Sequence, residues 1–285
     1  MEAGEPWRRL SRALLEALDG PLRRWAGLRL ADAFAGLSHV YLELEGGWCG
    51  VSLVPRWLPL EPLDAVLEDA TPRMLARLAA RGGGLAAAFA VAAVNAATGA
   101  WIECSPEPGV AVQRTGLASL LRVERGDTVV MLGYMPGLAG ELAARGARVA
   151  VAELDPSLLS EAERAGYPVL RSMEETLEAL RAADIVVASG SAVLDPPRLL
   201  KELAAAGAAR ERVLAGPTSS FHPLVAGRLG ATLVAGTYID RSVCRELRWA
   251  VAAGAGPHSL ERRRRARLVK WVARPPPPSP TRGAR

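Results

Sequence analysis

Two rhythms of apolar and polar positions divide this chain. From Asp127 onward short apolar runs alternate with helical stretches. Thr128–Leu132, Arg148–Glu153, Asp184–Ser189, Val213–Ala215 and Thr232–Val234 read as strands. Pro136–Arg145 and Met173–Arg181 read as helices, and Asp195 caps another that Pro196 and Pro197 open. Near-continuous β-branched runs between helices are what a parallel sheet covered on both faces requires. Residues from about Gly126 to Ala253 are therefore expected to form an α/β, Rossmann-like domain, a parallel sheet with helices on both faces.

The first half differs. Leu10, Leu14, Leu15 and Leu18 recur at three and four residues, which predicts an amphipathic helix from Pro6 toward Gly27, broken at the Gly20-Pro21 turn pair. Ser38–Glu45 and Trp48–Val54 alternate on either side of Gly46-Gly47, the pattern of a β-hairpin. Residues 62–97 have helical composition, and Leu85–Ala97 is apolar nearly all round, as in a helix packed on several sides. A proline- and glycine-bearing passage, Cys104–Gly116, places the boundary near residues 105–120. The expected organisation is a smaller α+β domain over 1–115, the Rossmann-like domain over 116–258, and a basic, proline-rich tail without fixed order over 259–285.

Charge refines this picture. Residues 259–285 carry a net +8, so with +5 overall residues 1–258 sum to −3. The high pI reports the tail, and nucleic acid is not an expected partner of the body. No membrane span or signal-peptide core is expected, which predicts a cytoplasmic protein. Cys49, Cys104 and Cys244, odd in number and far apart, are expected to be isolated buried thiols rather than a disulfide framework or a closed zinc site. Two lysines stand against 33 arginines, with a single asparagine and a single glutamine. This depletion of deamidation-prone amides fits a thermophile, which a melting temperature in the mesophilic range would contradict.

In a parallel sheet, ligands bind beyond the C-terminal ends of the strands. Five loops qualify. Gly133-Tyr134-Met135-Pro136-Gly137 follows a strand and opens a helix with spacing unlike GxGxxG, and Glu153 ends the next strand, where an acidic residue can bond a ribose hydroxyl. Ser189-Gly190-Ser191 and Gly216-Pro217-Thr218-Ser219 follow two further strands, with His222 a candidate metal ligand or acid–base group. Glu153-Leu154-Asp155 and Gly236–Asp240 complete the set, Asp240 reading better as a helix cap. Asn95, the one asparagine retained, sits in an apolar helix end and suggests a required amide, with a helix C-cap as the rival.

Taken in order, Val94-Asn95-Ala96-Ala97, Gly126–Pro136, Glu153, Ala188-Ser189-Gly190-Ser191 and Gly216-Pro217-Thr218-Ser219 make the chain resemble a known family. It is that of the heavy-metal chelation proteins, Rossmann-like domains of unknown function preceded by an enolase-N-terminal-like domain. The resemblance implies a ligand pocket between the two domains, and a role involving metal or a metal-chelating compound. His39, Cys49, Cys104, His222, Cys244 and His258 show no short ligand spacing, so metal is expected on a bound chelator or on ligands gathered across a cleft. The preferred reading is an interdomain small-molecule site. In it the Gly133–Gly137 turn and the Gly216–Ser219 loop supply amides, Glu153 accepts hydroxyls, and Asn95 reaches in from the other domain. The ligand would be a heavy-metal ion or a nucleotide-like or pterin-like small molecule. One alternative is a nucleotide-dependent enzyme using S-adenosylmethionine or NAD; another is a non-catalytic metal-binding protein. No catalytic set stands out by spacing.

Overall fold

The computed structural model describes residues 4–58, 60, 67, 69–104, 117–262 and 269–276. The passage expected to join the two halves, 105–116, lies outside the described residues, as do 263–268 and 277–285 of the basic tail.

The first helix, α1 (Glu5–Asp19), buries Leu10, Leu14 and Leu18 on one stripe. Three strands follow, β1 (Leu30–Ala35), β2 (His39–Leu44) and β3 (Trp48–Leu53), paired antiparallel in that order. The predicted hairpin is β2–β3, with Val40 opposite Ser52 and Leu42 opposite Gly50. Gly46 and Gly47 make the turn with φ of 98° and 86°, the left-handed region that glycine enters without a Cβ clash. Helices α2 (Pro72–Leu78) and α3 (Gly84–Cys104) complete this part.

α3 bears on two expectations and corrects one of them. At 21 residues it is long and apolar enough to cross a membrane by composition, yet 89% of its most apolar window is buried inside the protein, against β2, β3 and α2. It also runs past Ala97 to Cys104, so Asn95 is in mid-helix and not at a C-cap. β3 lies so close that a Cβ on Gly50 would fall 2.1 Å from the Ala92 carbonyl oxygen, which is why this strand carries glycine there.

The second half is a six-stranded sheet in the order β5-β4-β6-β7-β8-β9. The strands are β4 (Thr128–Leu132), β5 (Arg148–Ala152), β6 (Ile185–Ser189), β7 (Glu211–Ala215), β8 (Leu233–Tyr238) and β9 (Val269–Ala273). The first five are parallel, and β9 adds antiparallel to β8. Successive residues point to opposite faces. Val130, Leu132, Val186, Ala188 and Leu214 pack with α7 (Pro196–Ala205) and α8 (Pro223–Leu229). Val129, Met131, Val149, Val151 and Val187 pack with α4 (Pro136–Ala144) and α5 (Pro156–Arg164). α6 (Met173–Arg181) starts with a capping box from Ser172 and Glu175. Helices cover both faces, as the apolar runs predicted.

One apolar core continues from α1, α3 and β2 into α7, α8 and β6, so the two sheets share an interior. Two sequence readings are overturned here. Part of the supposed tail, Val269–Ala273, is an edge strand whose Trp271 is wholly buried. The thiols are not isolated: Cys49 on β3 and Cys244, the first residue of α9 (Cys244–Ala252), form a disulfide across 195 residues, while Cys104 is exposed. Spacing could not show this, because two half-cystines far apart in sequence carry no local signature.

Candidate functional site

β4 and β6 are neighbours although the chain visits β5 between them, so their following loops diverge and a crevice opens at their C-terminal ends. The loops close on one another only because glycines stand at the contacts. Gly133 has φ 88°, and a Cβ there would fall 2.7 Å from the Ser189 Cβ; one on Gly190 would fall 2.5 Å from the Ser219 amide nitrogen.

Above these loops is a cleft of about 660 Å³, within the range of small-molecule pockets. Its floor is Leu132–Tyr134 after β4, Ala152–Leu154 after β5, Ser189–Ala192 after β6 and Gly216–Thr218 after β7. Asp195, Arg198, Leu199 and Glu202, at and along α7, make one side. The roof comes from the other sheet: Ser38, His39, Leu53, Val54, Arg56 and Trp57, joined by His258 at the start of α10 (His258–Arg262). The roof is fastened to the floor where the Leu53 amide donates to Thr218 Oγ1 at 3.0 Å.

Nine residues picked out from sequence line this cleft: Gly133, Tyr134, Glu153, Ser189, Gly190, Ser191, Gly216, Pro217 and Thr218. Four do not. Gly137 is exposed on α4. Ser219 is buried, its hydroxyl donating to the Gly216 carbonyl at 3.0 Å. Asn95 sits behind the β7 loop, its Nδ2 donating to the carbonyls of Val51 (2.8 Å), Thr218 (3.0 Å) and Pro217 (3.2 Å). Three carbonyl acceptors leave no doubt which end of the amide faces them. It braces the cleft wall from the far side and does not reach into the cleft.

His222 is also placed elsewhere. Its Nδ1 accepts from the Leu224 amide at 3.2 Å and caps α8, and its ring meets Trp101 edge-on at 4.6 Å between centroids. Burial lowers its pKa to about 4. With Nδ1 engaged and no group of three or more His, Cys, Asp or Glu side chains arranged for a metal among the described residues, the donor set does not fit a bare heavy-metal ion.

Most of the amides expected to cradle an anion are already taken. Gly133 N donates to the Ala152 carbonyl (2.8 Å), Tyr134 N to Glu153 Oε2 (2.7 Å) and Met135 N to Met131 Sδ (3.3 Å), and Pro136 has no N–H. Glu153 Oε1 accepts from Leu154 N and Asp155 N at 2.6 and 2.8 Å. Its carboxylate therefore clamps the β4 and β5 loops together. Gly216 N donates to the Ala235 carbonyl at 2.9 Å. This removes much of the phosphate cradle on which the nucleotide-enzyme alternative depended.

Sequence reasoning named His39 and His258 only as soft ligands without short spacing, and missed Arg56, Trp57, Arg198 and Glu202. A signal existed for one pair: Arg198 and Glu202, four apart on a helix capped by Asp195, share a face. Arg198 Nε donates to Glu202 Oε1 at 2.7 Å, and burial pushes the Glu202 carboxyl up against the pull of that guanidinium. Asp155 caps α5, and the Ser157 hydroxyl and amide hold its carboxyl below the usual range. Burial, helped by nearby His258, lowers His39 to about 4.

A Rossmann-like sheet, capped at its C-terminal edge by a small antiparallel sheet, with a cleft where the strand order switches, defines the class of protein. The chain belongs to the DUF364 family, described as "Putative heavy-metal chelation", whose sequence model matches residues 116–270. A family protein of unknown function from Pyrococcus horikoshii has a crystal structure with a TM-score of 0.72 at 18% identity, covering 93% of this chain and 99% of that one. Another, from Desulfitobacterium hafniense, gives 0.69 at 18% identity, covering 92% and 99%. At that identity the likeness is one of fold. No curated protein matches the chain.

Proposed function

We propose that the cleft binds an organic small molecule with both apolar and hydrogen-bonding parts, and that any metal handled is held by that molecule. The observation that carries this reading is the cleft's position and lining. It lies at the switch point of the parallel sheet, and both sheets contribute walls that mix Leu53, Val54, Trp57 and Leu199 with His39, Ser189, Ser191 and Arg198. The carboxylates Glu153 and Asp155 keep their charge but already accept from backbone amides, which leaves them fewer acceptor positions for a ligand. The family's description supports a metal connection; among the described residues no group of donors is arranged for a free ion.

The test is native mass spectrometry with elemental analysis on protein purified without chelators, beside Ser191→Trp, which fills the cleft from a half-buried position. An organic molecule, with or without metal, should accompany the wild type and be absent from the variant at unchanged folding. Metal retained equally by both proteins would overturn the reading. So would a wild type that carries nothing and whose melting point is not raised by the small-molecule extract of its host cells.

A further inference from the structure

His39 stands on the cleft roof as the first residue of β2. The Ser38 hydroxyl lies 2.9 Å from His39 Nδ1 and 3.1 Å from the Gly254 carbonyl oxygen. A hydroxyl carries one hydrogen, and a carbonyl oxygen can only accept. If Nδ1 were bare, one of the two contacts would set acceptor against acceptor. Both are satisfied only when Ser38 donates to Gly254 and Nδ1–H donates to Ser38. Gly256 closes the ring's other flank, where an ideal Cβ would fall 2.5 Å from Cε1. Nε2 is then the one polar atom the ring has left to offer the cavity.

We infer that His39 is the uncharged hydrogen-bond acceptor of the cleft, its Nε2 lone pair kept for the ligand by the Gly254–Ser38–His39 relay, and that the ligand meets it with an N–H or O–H donor. This rests on the small-molecule reading of the cleft and narrows it. The lowered basicity of the ring agrees: at neutral pH the imidazole carries no charge. At Nε2 the cleft thus favours a protonated ring nitrogen, amide or hydroxyl over an atom that can only accept.

Nitrogen-15 NMR of the histidines in the full chain reads this directly, since only His39, His222 and His258 contribute and His39→Asn assigns the signal. The expected result is a neutral ring with hydrogen on Nδ1, and loss of that single tautomer in Ser38→Ala. Diethyl pyrocarbonate should acylate His39 at Nε2 in the native protein, and Ser191→Trp should slow that reaction at least tenfold. Hydrogen on Nε2, an imidazolium at neutral pH, or acylation indifferent to the filled cleft would each overturn the inference. The first two leave the small-molecule reading intact, because co-purification and Ser191→Trp test it separately.

A different observation carries a second site. Asn95 Oδ1 and Trp271 Nε1 are buried and have no hydrogen-bond partner among the described residues. One needs a donor, the other an acceptor, and both line the same small cavity of about 10 Å³, together with Ser220 and Thr237. That is the space of a single water. The geometry points to one ordered water donating to Asn95 Oδ1 and accepting from Trp271 Nε1, which would tie α3 to the edge strand behind the cleft wall. The Trp271 indole proton, assigned through Trp271→Phe, should show a nuclear Overhauser effect to a long-lived water. Its absence, with no density between the two groups in a high-resolution crystal structure, would dismiss the site.

Discussion

The two ends of the parallel strands handle polar groups in opposite ways. At the N-terminal ends they satisfy one another. Asp127 accepts from Glu124 N at 2.6 Å and from both terminal nitrogens of Arg210, and Arg210 also reaches the Arg122 carbonyl at 2.9 Å. Asp184 takes the Thr128 amide at 2.8 Å, and Arg212 donates to the carbonyls of Gly230 and Ala209 at 2.8 and 3.1 Å. At the C-terminal ends the loop amides are tied down as firmly, but to a carboxylate and carbonyls beneath the surface. Side chains such as Ser189 and Ser191, bonded to each other at 3.0 Å, and His39, bonded to Ser38, line a cavity with further donor or acceptor capacity left. A saturated end fixes strand register and has little to offer a ligand; the end with acceptors and donors to spare is where recognition can occur.

The largest effect should come from cutting what holds the roof over the C-terminal end. The Cys49–Cys244 disulfide joins β3 to α9 across 195 residues, and loop-closure entropy for so long a span is worth about 5 kcal/mol. Denaturant unfolding of Cys244→Ser, or of the reduced wild type, should show a loss of that order, accompanied by weaker retention of the cleft's molecule. A loss below about 1 kcal/mol would mean that the shared apolar core alone fixes the roof.

How legible this was depended on range. β4, β5, β6 and α6 follow from local periodicity and caps, and the helix opened by Pro196-Pro197 begins where Asp195 placed it. Nine cleft residues follow from the rule that ligands gather at strand ends. The roof did not follow, because nothing local says that Ser38–His39 and Arg56–Trp57 fold over loops that lie 75 to 180 residues away in sequence. Asn95 was singled out for a sound reason, the scarcity of amides, but scarcity does not tell a ligand contact from a brace. β9 was hidden by its basic and proline-rich surroundings, and the disulfide by sequence distance.

Asn95 separates the two roles it could play. As a brace, Asn95→Ala leaves the carbonyls of Val51, Pro217 and Thr218 without their donor, at a cost of about 2 kcal/mol. Asn95→Asp should be worse, since a buried carboxylate would face three carbonyl oxygens. Thermal unfolding checks both. If Asn95→Ala lost the bound molecule while keeping wild-type stability, the residue would be a ligand contact after all.

The smallest effect belongs to the N-terminal end and isolates it from the cleft. The Arg210 guanidinium beside Asp127, with the Glu124 amide, holds its carboxyl below the usual range against the opposing effect of burial. A carboxylate with a depressed folded pKa adds stability that is fully present above the unfolded value, about 3.9, and is lost as pH falls toward the folded one. Arg210 is 39% exposed, so solvent screening limits the contribution to about 1 kcal/mol. Asp127→Asn should therefore lower the urea midpoint slightly at neutral pH, and the gap between variant and wild type should close below about pH 4. Small-molecule retention should not change at any pH where both proteins are folded. A variant that lost the molecule at neutral pH would show that the two ends of the sheet are coupled, and the contrast between a structural end and a binding end would fail.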